Sequence, residues 1–116
     1  MGRIEKVNQQ LKKDISRIIR KELSDPRFTF ITITHVETSK DLRQAKVFFS
    51  LLGETDQIEG ILSSLDRVRG IIRKYVGKCI TMRYTPELHF FYDSSIKESA
   101  RLEETFKEIH NELGES

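Results

Sequence analysis

The sequence has few of the residues on which several classes of protein depend. Its 116 residues include one cysteine, two prolines and no tryptophan. The single cysteine, Cys79, excludes an internal disulfide framework and suits a reducing compartment, so we expect a cytoplasmic protein. The three histidines are too scattered along the chain to form a metal site with it. We therefore expect neither a metal ion nor any other cofactor.

Long apolar runs are also missing. No stretch approaches the roughly 18 apolar residues that are needed to cross a bilayer. The first six residues, Met1–Lys6, lack the hydrophobic region of a signal peptide. We expect no membrane partner. The length allows one domain, since a single core organises roughly 100–200 residues.

Catalytic combinations of residues are absent from the sequence as well. An enzyme needs a nucleophile with its base, paired acid and base groups, or a metal set. His89, Asp93 and Ser94-Ser95 are close in sequence, but no nucleophile elbow accompanies them. The glycines form no phosphate-binding loop. We expect a protein that is not an enzyme and has no small-molecule substrate.

Charge is strongly segregated along the chain, although the formal net charge is only +2. Residues 1–51 hold 11 basic and 6 acidic side chains, and residues 67–83 hold six basic and no acidic ones. Residues 52–66 have four acids and no base, and residues 84–116 have eight acids against three bases. Such local fields attract or repel a polyanion irrespective of the total charge. The same pattern is equally compatible with an ordinary solvated surface.

Hydrophobic periodicity predicts a compact α+β domain. Apolar residues at helical spacing predict a first helix from about Arg3 to Leu23, ending before Ser24-Asp25-Pro26. Alternating residues predict strands over 28–36 and 44–51, joined as an antiparallel hairpin. They also predict either one strand over 78–92 with an irregularity at Pro86, or a short lead-in followed by the main strand. Ser95 to Glu98 resembles a capping box, and it predicts a final helix to about Leu113. That helix carries an apolar stripe made of Leu102, Phe106, Ile109 and Leu113.

The segment from Asp56 to Val76 has helical spacing but carries a conflict. A single straight helix places Arg69 within the apolar stripe, between Ile58 and Leu62. Because burying an unpaired guanidinium is costly, we predict a break or a kink that gives two helical pieces facing different directions. The break is expected at Val68, Arg69 and Gly70.

Two groups of basic residues, one within residues 67–83 and one on the first helix, predict a surface that binds the nucleic-acid backbone. A helix that begins at the break would present free amide groups to a phosphate, and flanking guanidinium groups would add bidentate contacts. The basic group on the first helix lies opposite the apolar stripe of that helix. An alternative interpretation of this group is a face that only keeps the protein soluble. The predicted RNA-binding residues are Arg67, Arg69, Gly70, Arg73, Lys74, Lys78 and Arg83, together with Lys6, Lys13, Arg17 and Arg20.

The predicted order of elements is that of a KH domain, in which two helices meet at a backbone-clamping GxxG loop, although GxxG itself is absent. From about Arg3 to Leu113, the chain closely resembles the ribosome-binding factor A family. The motifs that carry this resemblance are Asp25-Pro26-Arg27, Ile31-Thr32-Ile33-Thr34, Asp41-Leu42, Ala45-Lys46-Val47, Gly70-Ile71-Ile72-Arg73, Arg83-Tyr84-Thr85-Pro86-Glu87-Leu88 and Phe90-Phe91-Tyr92-Asp93.

The resemblance implies a type II KH-like fold with the order α-β-β-α-kink-α-β, a three-stranded mixed sheet and helices on one face. In this family an Ala-x-Gly kink replaces GxxG, and Val68 stands at the usual alanine position. Residues 1–94 would form the RNA-binding domain, and residues 95–116 would form a C-terminal helix packed on it.

The resemblance also implies a function. A monomer would bind the immature small (30S) ribosomal subunit and its 16S rRNA, and would support late rRNA maturation, including processing of the 5′ end. A second hypothesis from a different class is a protein-interaction module that uses the C-terminal stripe without direct RNA contact. Sedimentation of a cell extract distinguishes the two hypotheses.

Overall fold

The computed structural model describes residues 2–52, 57–80 and 82–93. Their elements confirm the α+β prediction. In chain order these are helix α1 (Arg3–Lys21), a short 3₁₀ helix (Pro26–Phe30), strands β1 (Ile31–Thr38) and β2 (Gln44–Leu51), helix α2 (Ile58–Cys79) and strand β3 (Glu87–Tyr92). None of the helices in this part of the chain is long and apolar enough to cross a membrane.

The three strands form one mixed sheet with β2 in the centre. β1 and β2 pair antiparallel as the predicted hairpin, whereas β2 and β3 pair parallel. Parallel neighbours need a long crossover connection, and α2 lies within it. The register places Val47 of β2 between Val36 of β1 and Phe90 of β3. A bulge between Ile33 and His35 interrupts the first pairing.

Both described helices pack on the same face of this sheet and against each other, as expected. α1 buries Leu11, Ile15, Ile18 and Ile19, and α2 buries Ile61, Leu65, Ile72 and Val76. These residues meet the inward-facing positions of the strands in a single hydrophobic core. The opposite sides of the two helices are therefore exposed and carry the charged residues.

The predicted break in the second helix is wrong, because α2 runs without interruption from Ile58 to Cys79. A kink within this continuous helix stays a prediction. Ile58 and Leu62, on which the predicted stripe was centred, are only half-buried. The buried line instead starts at Ile61, so Arg69 lies beside the core with its side chain 44% exposed. Ile71, the other source of the conflict, remains 49% exposed. A continuous helix therefore buries no unpaired guanidinium.

Gly70 has open space around its Cα atom. It lies on the exposed side of α2, and a Cβ atom at this position would meet no other atom within 4 Å. No helix begins at Val68, Arg69 and Gly70 in this structure, so the free amide groups expected there do not exist. RNA binding by the side chains of this segment is a separate prediction and stays one.

Two of the predicted strand boundaries also need correction. Residues 28–30 belong to the 3₁₀ helix, because Asp25 caps it by accepting a hydrogen bond of 3.0 Å from the Arg27 amide. α2 extends to Cys79, and the described residues from Ile80 to Pro86 are irregular, so β3 is restricted to Glu87–Tyr92.

The predicted C-terminal helix and its stripe, over 95–113, lie outside the described residues.

Candidate nucleic-acid interface

The basic residues predicted on α1 form one exposed row. Lys6, Lys13, Arg17 and Arg20 are all exposed. Their spacings of seven, four and three residues place them on one side of the helix. The α1 core residues Leu11, Ile15 and Ile18 occupy a different side. The helix thus presents an apolar side to the sheet and a cationic side to solvent.

Arg17 connects this row to the end of α2. Its guanidinium donates a hydrogen bond of 2.8 Å to the Sγ atom of Cys79, the last residue of α2. A second contact, 3.5 Å long, joins it to the buried carboxylate of Asp14. The two basic segments, which are far apart in sequence, are therefore adjacent in the fold.

The basic residues of α2 fall into two rows. Arg67, Lys74 and Lys78 are seven and four residues apart and share one side of the helix. Arg69 and Arg73 are four residues apart and form a second row. In that second row Arg69 forms an ion pair with Asp66 at 3.3 Å. The structure therefore does not bring Arg69, Arg73 and Lys74 together on one surface.

The first row retains most of its positive charge. Arg67 donates a hydrogen bond of 3.3 Å to the hydroxyl of Ser64, and the Lys78 ammonium lies 5.5 Å from the centre of the Tyr75 ring. Neither contact neutralises a cation. Lys74 forms no ion pair or hydrogen bond with the described residues. This row is available for an anionic partner.

Arg73 has a structural contact that the sequence pattern did not indicate. Its Nε and NH2 atoms donate hydrogen bonds of 3.2 and 2.8 Å to the backbone carbonyl oxygen of Thr85. One turn further on, a Cβ atom at Gly77 would lie 2.8 Å from the Thr85 hydroxyl oxygen. Arg73 and Gly77 thus hold the segment that precedes β3 against α2.

Arg83 belongs to a third cluster, around an exposed tyrosine. Its guanidinium lies 5.4 Å from the centre of the Tyr84 ring, and that of Arg43 lies 4.9 Å from it. Tyr84 is 48% exposed. The adjacent open cleft, about 260 Å³ in volume, is lined by Arg43, Gln44, Arg73, Tyr84, Thr85 and Glu87.

Arg43 is a candidate that the sequence reasoning missed. Its carbonyl oxygen accepts a hydrogen bond of 2.8 Å from the Glu87 amide, which places it beside the start of β3. The parallel pairing of β2 and β3 is the feature that could have identified Arg43. Parallel strands that start at the same level bring the residues before them together.

Arg27 is the second basic residue that was missed, and its contacts are structural. Its guanidinium donates hydrogen bonds of 3.1 and 2.7 Å to the Asp25 carboxylate and one of 2.5 Å to the Ser64 hydroxyl of α2. The guanidinium hydrogen bonds to the carboxylate, together with that from the Arg27 amide, hold the pKa of Asp25 below its usual value. The motif Asp25-Pro26-Arg27 therefore fastens the end of α1 to α2.

Metal ligation has no candidate in the described ranges, where no group of three or more His, Cys, Asp or Glu side chains could hold an ion.

Comparison with known proteins assigns the chain to a family. The family model for ribosome-binding factor A matches residues 3–106. The chain belongs to the ribosome-binding factor A family. It is 42% identical to the ribosome-binding factor A of Halothermothrix orenii over 110 residues, which cover 95% of this chain and 90% of that protein. Identity to the Desulfitobacterium hafniense protein of the same name is 39%, over 95% of this chain and 88% of that protein.

Solved structures of the ribosome-binding factor A family have a similar fold. The crystal structure of the Thermus thermophilus protein matches with a TM-score of 0.70 and 28% identity, over 79% of this chain and 97% of that one. A homology model of a Thermus thermophilus ribosome-binding factor A, fitted into a cryo-EM map of its complex with the 30S subunit, matches with a TM-score of 0.60 and 27% identity. That match covers 72% of this chain and 88% of that one.

Proposed function

We propose that this protein binds the immature small ribosomal subunit by contacting the rRNA backbone with the exposed basic side chains of α1 and α2. The contact set, here called the basic surface, comprises Lys6, Lys13, Arg17, Arg20, Arg67, Lys74 and Lys78. The proposal is supported by the family assignment and by the 30S complex of the Thermus thermophilus relative.

The observation that carries the proposal is the junction between the two helices. Arg17 reaches the Cys79 sulfur at 2.8 Å, so the α1 row continues onto the last turn of α2, where Lys78 is exposed. A continuous row of cations suits a phosphate backbone, which carries regularly spaced negative charges. Such contacts position a protein on RNA without reading its bases.

The geometry changes the mechanism that the sequence suggested. Because α2 has no internal helix start, backbone amides at Gly70 cannot cradle a phosphate, and side chains must supply the contacts. The order α-β-β-α-β with parallel β2 and β3 is compatible with a KH-like domain that lacks its clamp. We propose that Arg69 and Arg73 contribute less than Lys74, because they already have partners in Asp66 and Thr85.

Within the ribosome-binding factor A family, we further propose that the protein acts as a monomer in the cytoplasm and supports late rRNA maturation, including that of the 5′ end. This role involves no chemistry by the protein itself. It would act by occupying rRNA until the subunit reaches a mature conformation.

Gradient sedimentation of cell extract tests the proposal. The wild-type protein should migrate with small subunits, and the Arg67→Ala, Lys74→Ala, Lys78→Ala triple variant should shift to the top of the gradient. A matched control replaces three exposed lysines outside the basic surface, Lys12, Lys21 and Lys40, by alanine and removes the same charge. An unchanged peak for the first variant would contradict the proposal. Migration with a protein partner after ribonuclease treatment would instead support the protein-interaction hypothesis.

A further inference from the structure

An exposed tyrosine precedes β3 and lies outside the basic surface. Tyr84 is 48% exposed, and its hydroxyl group forms no hydrogen bond with the described residues. The two residues that follow it are fixed in the fold. Thr85 accepts two hydrogen bonds from Arg73, and Pro86 is fully buried. The backbone therefore holds Tyr84 in place while about half of its surface is open to solvent.

Two guanidinium groups lie beside this ring. Those of Arg43 and Arg83 are 4.9 and 5.4 Å from its centre, within the distance of about 6 Å at which a cation is attracted to an aromatic ring. Neither guanidinium forms an ion pair with the described residues. The carboxylate of Asp41 instead accepts hydrogen bonds from the Ser39 hydroxyl and the Arg43 amide. No ion pair there neutralises the two cations.

The cleft beside the ring is small and has polar walls. Its volume is about 260 Å³, slightly less than the roughly 300–1,000 Å³ of pockets for drug-sized molecules. Gln44 and Glu87, which are partners in the β2–β3 pairing, line it. The Gln44 Oε1 atom lies 2.7 Å from the His89 Nε2 atom, which fixes this amide, and Glu87 is exposed. Amide and carboxylate side chains are the groups that recognise the edges of nucleobases.

We infer that this cleft binds one unstacked nucleotide of single-stranded rRNA. The base would stack on the Tyr84 ring, and Arg43 and Arg83 would contact the adjoining phosphates. Aromatic rings and arginine side chains are the usual partners of unpaired bases. The inference rests on the proposed function, because it assigns a second site to the same rRNA. It adds a contact to a base, whereas the basic surface contacts only the backbone.

The cleft adjoins the basic surface, which favours RNA over a protein as its occupant. Thr85 lies so close to α2 that a Cβ atom at Gly77 would be 2.8 Å from its hydroxyl oxygen. Lys78, a member of the basic surface, follows Gly77 in the chain. An RNA strand that contacts Lys78 through a phosphate is therefore close to Tyr84. Tyrosine and arginine are also common in protein interfaces, so a protein occupant is tested below.

Tryptophan fluorescence tests the inference, because the chain has no tryptophan of its own. Tyr84→Trp places a single tryptophan beside the cleft. Phe30→Trp is the matched control, because Phe30 is 54% exposed and precedes β1 at the opposite end of the sheet. A single-stranded RNA of mixed sequence should quench the Tyr84→Trp emission several-fold more than that of the control. An abasic strand of equal length carries the same phosphates and should bind without this quenching.

Three results of the fluorescence experiment would overturn the inference. The first is an absence of quenching by the single-stranded RNA. The second is equal quenching by the abasic strand, which would indicate contacts to phosphates alone. The third is quenching by the proteins of small subunits after digestion of their rRNA, which would assign the cleft to a protein partner.

Affinity for purified immature small subunits separates this inference from the proposed function. Tyr84→Ala should weaken binding by about five-fold or more, the usual effect of losing one stacked base, and Tyr84→Phe should bind like the wild type. The slope of log K against log salt concentration should stay unchanged in Tyr84→Ala, because no cation is lost. Wild-type affinity of Tyr84→Ala, with binding lost in the Arg67→Ala, Lys74→Ala, Lys78→Ala variant, would overturn the inference and leave the proposed function standing. The reverse result would contradict the basic surface and support the cleft.

Discussion

The guanidinium of Arg73 donates two hydrogen bonds to the backbone carbonyl oxygen of Thr85. The two residues are twelve positions apart, in the last third of α2 and in the segment that leads into β3. This contact fixes the position at which the chain enters the parallel strand. It also separates Arg73 from Lys74, its neighbour in sequence, which has no such partner among the described residues.

Replacement of these two neighbours should have opposite consequences. Arg73→Ala should lower the free energy of unfolding by about 1 kcal/mol, the usual net contribution of an intramolecular hydrogen bond. Lys74→Ala should change it by less than about 0.5 kcal/mol, as is typical of surface positions without partners. Urea denaturation measures the first quantity, and subunit binding should show the larger loss for Lys74→Ala. Equal stability of the two variants would contradict the role assigned to Arg73.

The two glycines of α2's second half should also differ. Gly77→Ala should destabilise the protein by about 1–3 kcal/mol, because the added methyl group would collide with the Thr85 side chain. Gly70→Ala should stabilise it by up to about 1 kcal/mol, since the site is open and alanine favours a helix. Thermal unfolding measures both changes. A destabilising Gly70→Ala would indicate that the helix does need a break at this position.

Acid should weaken the attachment of the 3₁₀ helix to α2. The Arg27 side chain and amide lower the pKa of Asp25 from its usual 3.8. The unfolded chain therefore takes up this proton at a higher pH than the folded chain. Stability from this group is present above pH 3.8 and is lost as the pH falls through the folded-state pKa. Asp25→Asn should accordingly reduce the loss of stability between neutral and acid pH.

Asp41 serves as a comparison for that measurement, because hydrogen bonds from the Ser39 hydroxyl and the Arg43 amide also lower its pKa. Asp41→Asn should remove a separate part of the acid sensitivity, and the double variant should remove both parts. Urea denaturation at a series of pH values provides the data. An Asp25→Asn variant with the acid sensitivity of the wild type would show that the Asp25–Arg27 contact does not persist in solution.

The sequence predicted the regular parts of the fold well. α1 and β2 have strong periodicity, and the structure confirms both within two residues. The break in α2 was predicted because apolar residues such as Ile58 and Ile71 were assumed to be in the core. Ser64, which is polar, was left out of the predicted stripe. The structure buries Ser64 and leaves Ile71 half exposed, so a straight stripe is possible.

The candidate site was less predictable than the fold. Exposure of the basic residues follows from helical spacing, and all those on α1 and α2 are exposed as expected. The partner of Arg73 is a backbone carbonyl in an irregular segment, which no side-chain pattern encodes. The junction of Arg17 with Cys79 depends on how α1 packs against α2, and this is a property of the tertiary structure.

The salt dependence of binding to purified immature small subunits tests the basic surface most directly. Each phosphate contact contributes about 0.7–0.9 to the slope of log K against log salt concentration. The Arg67→Ala, Lys74→Ala, Lys78→Ala variant should bind more weakly, with a slope reduced by about 2–3. The Lys12→Ala, Lys21→Ala, Lys40→Ala control should keep the wild-type slope. A wild-type slope for the first variant, or an equal loss for the control, would show that these three side chains do not contact rRNA phosphates.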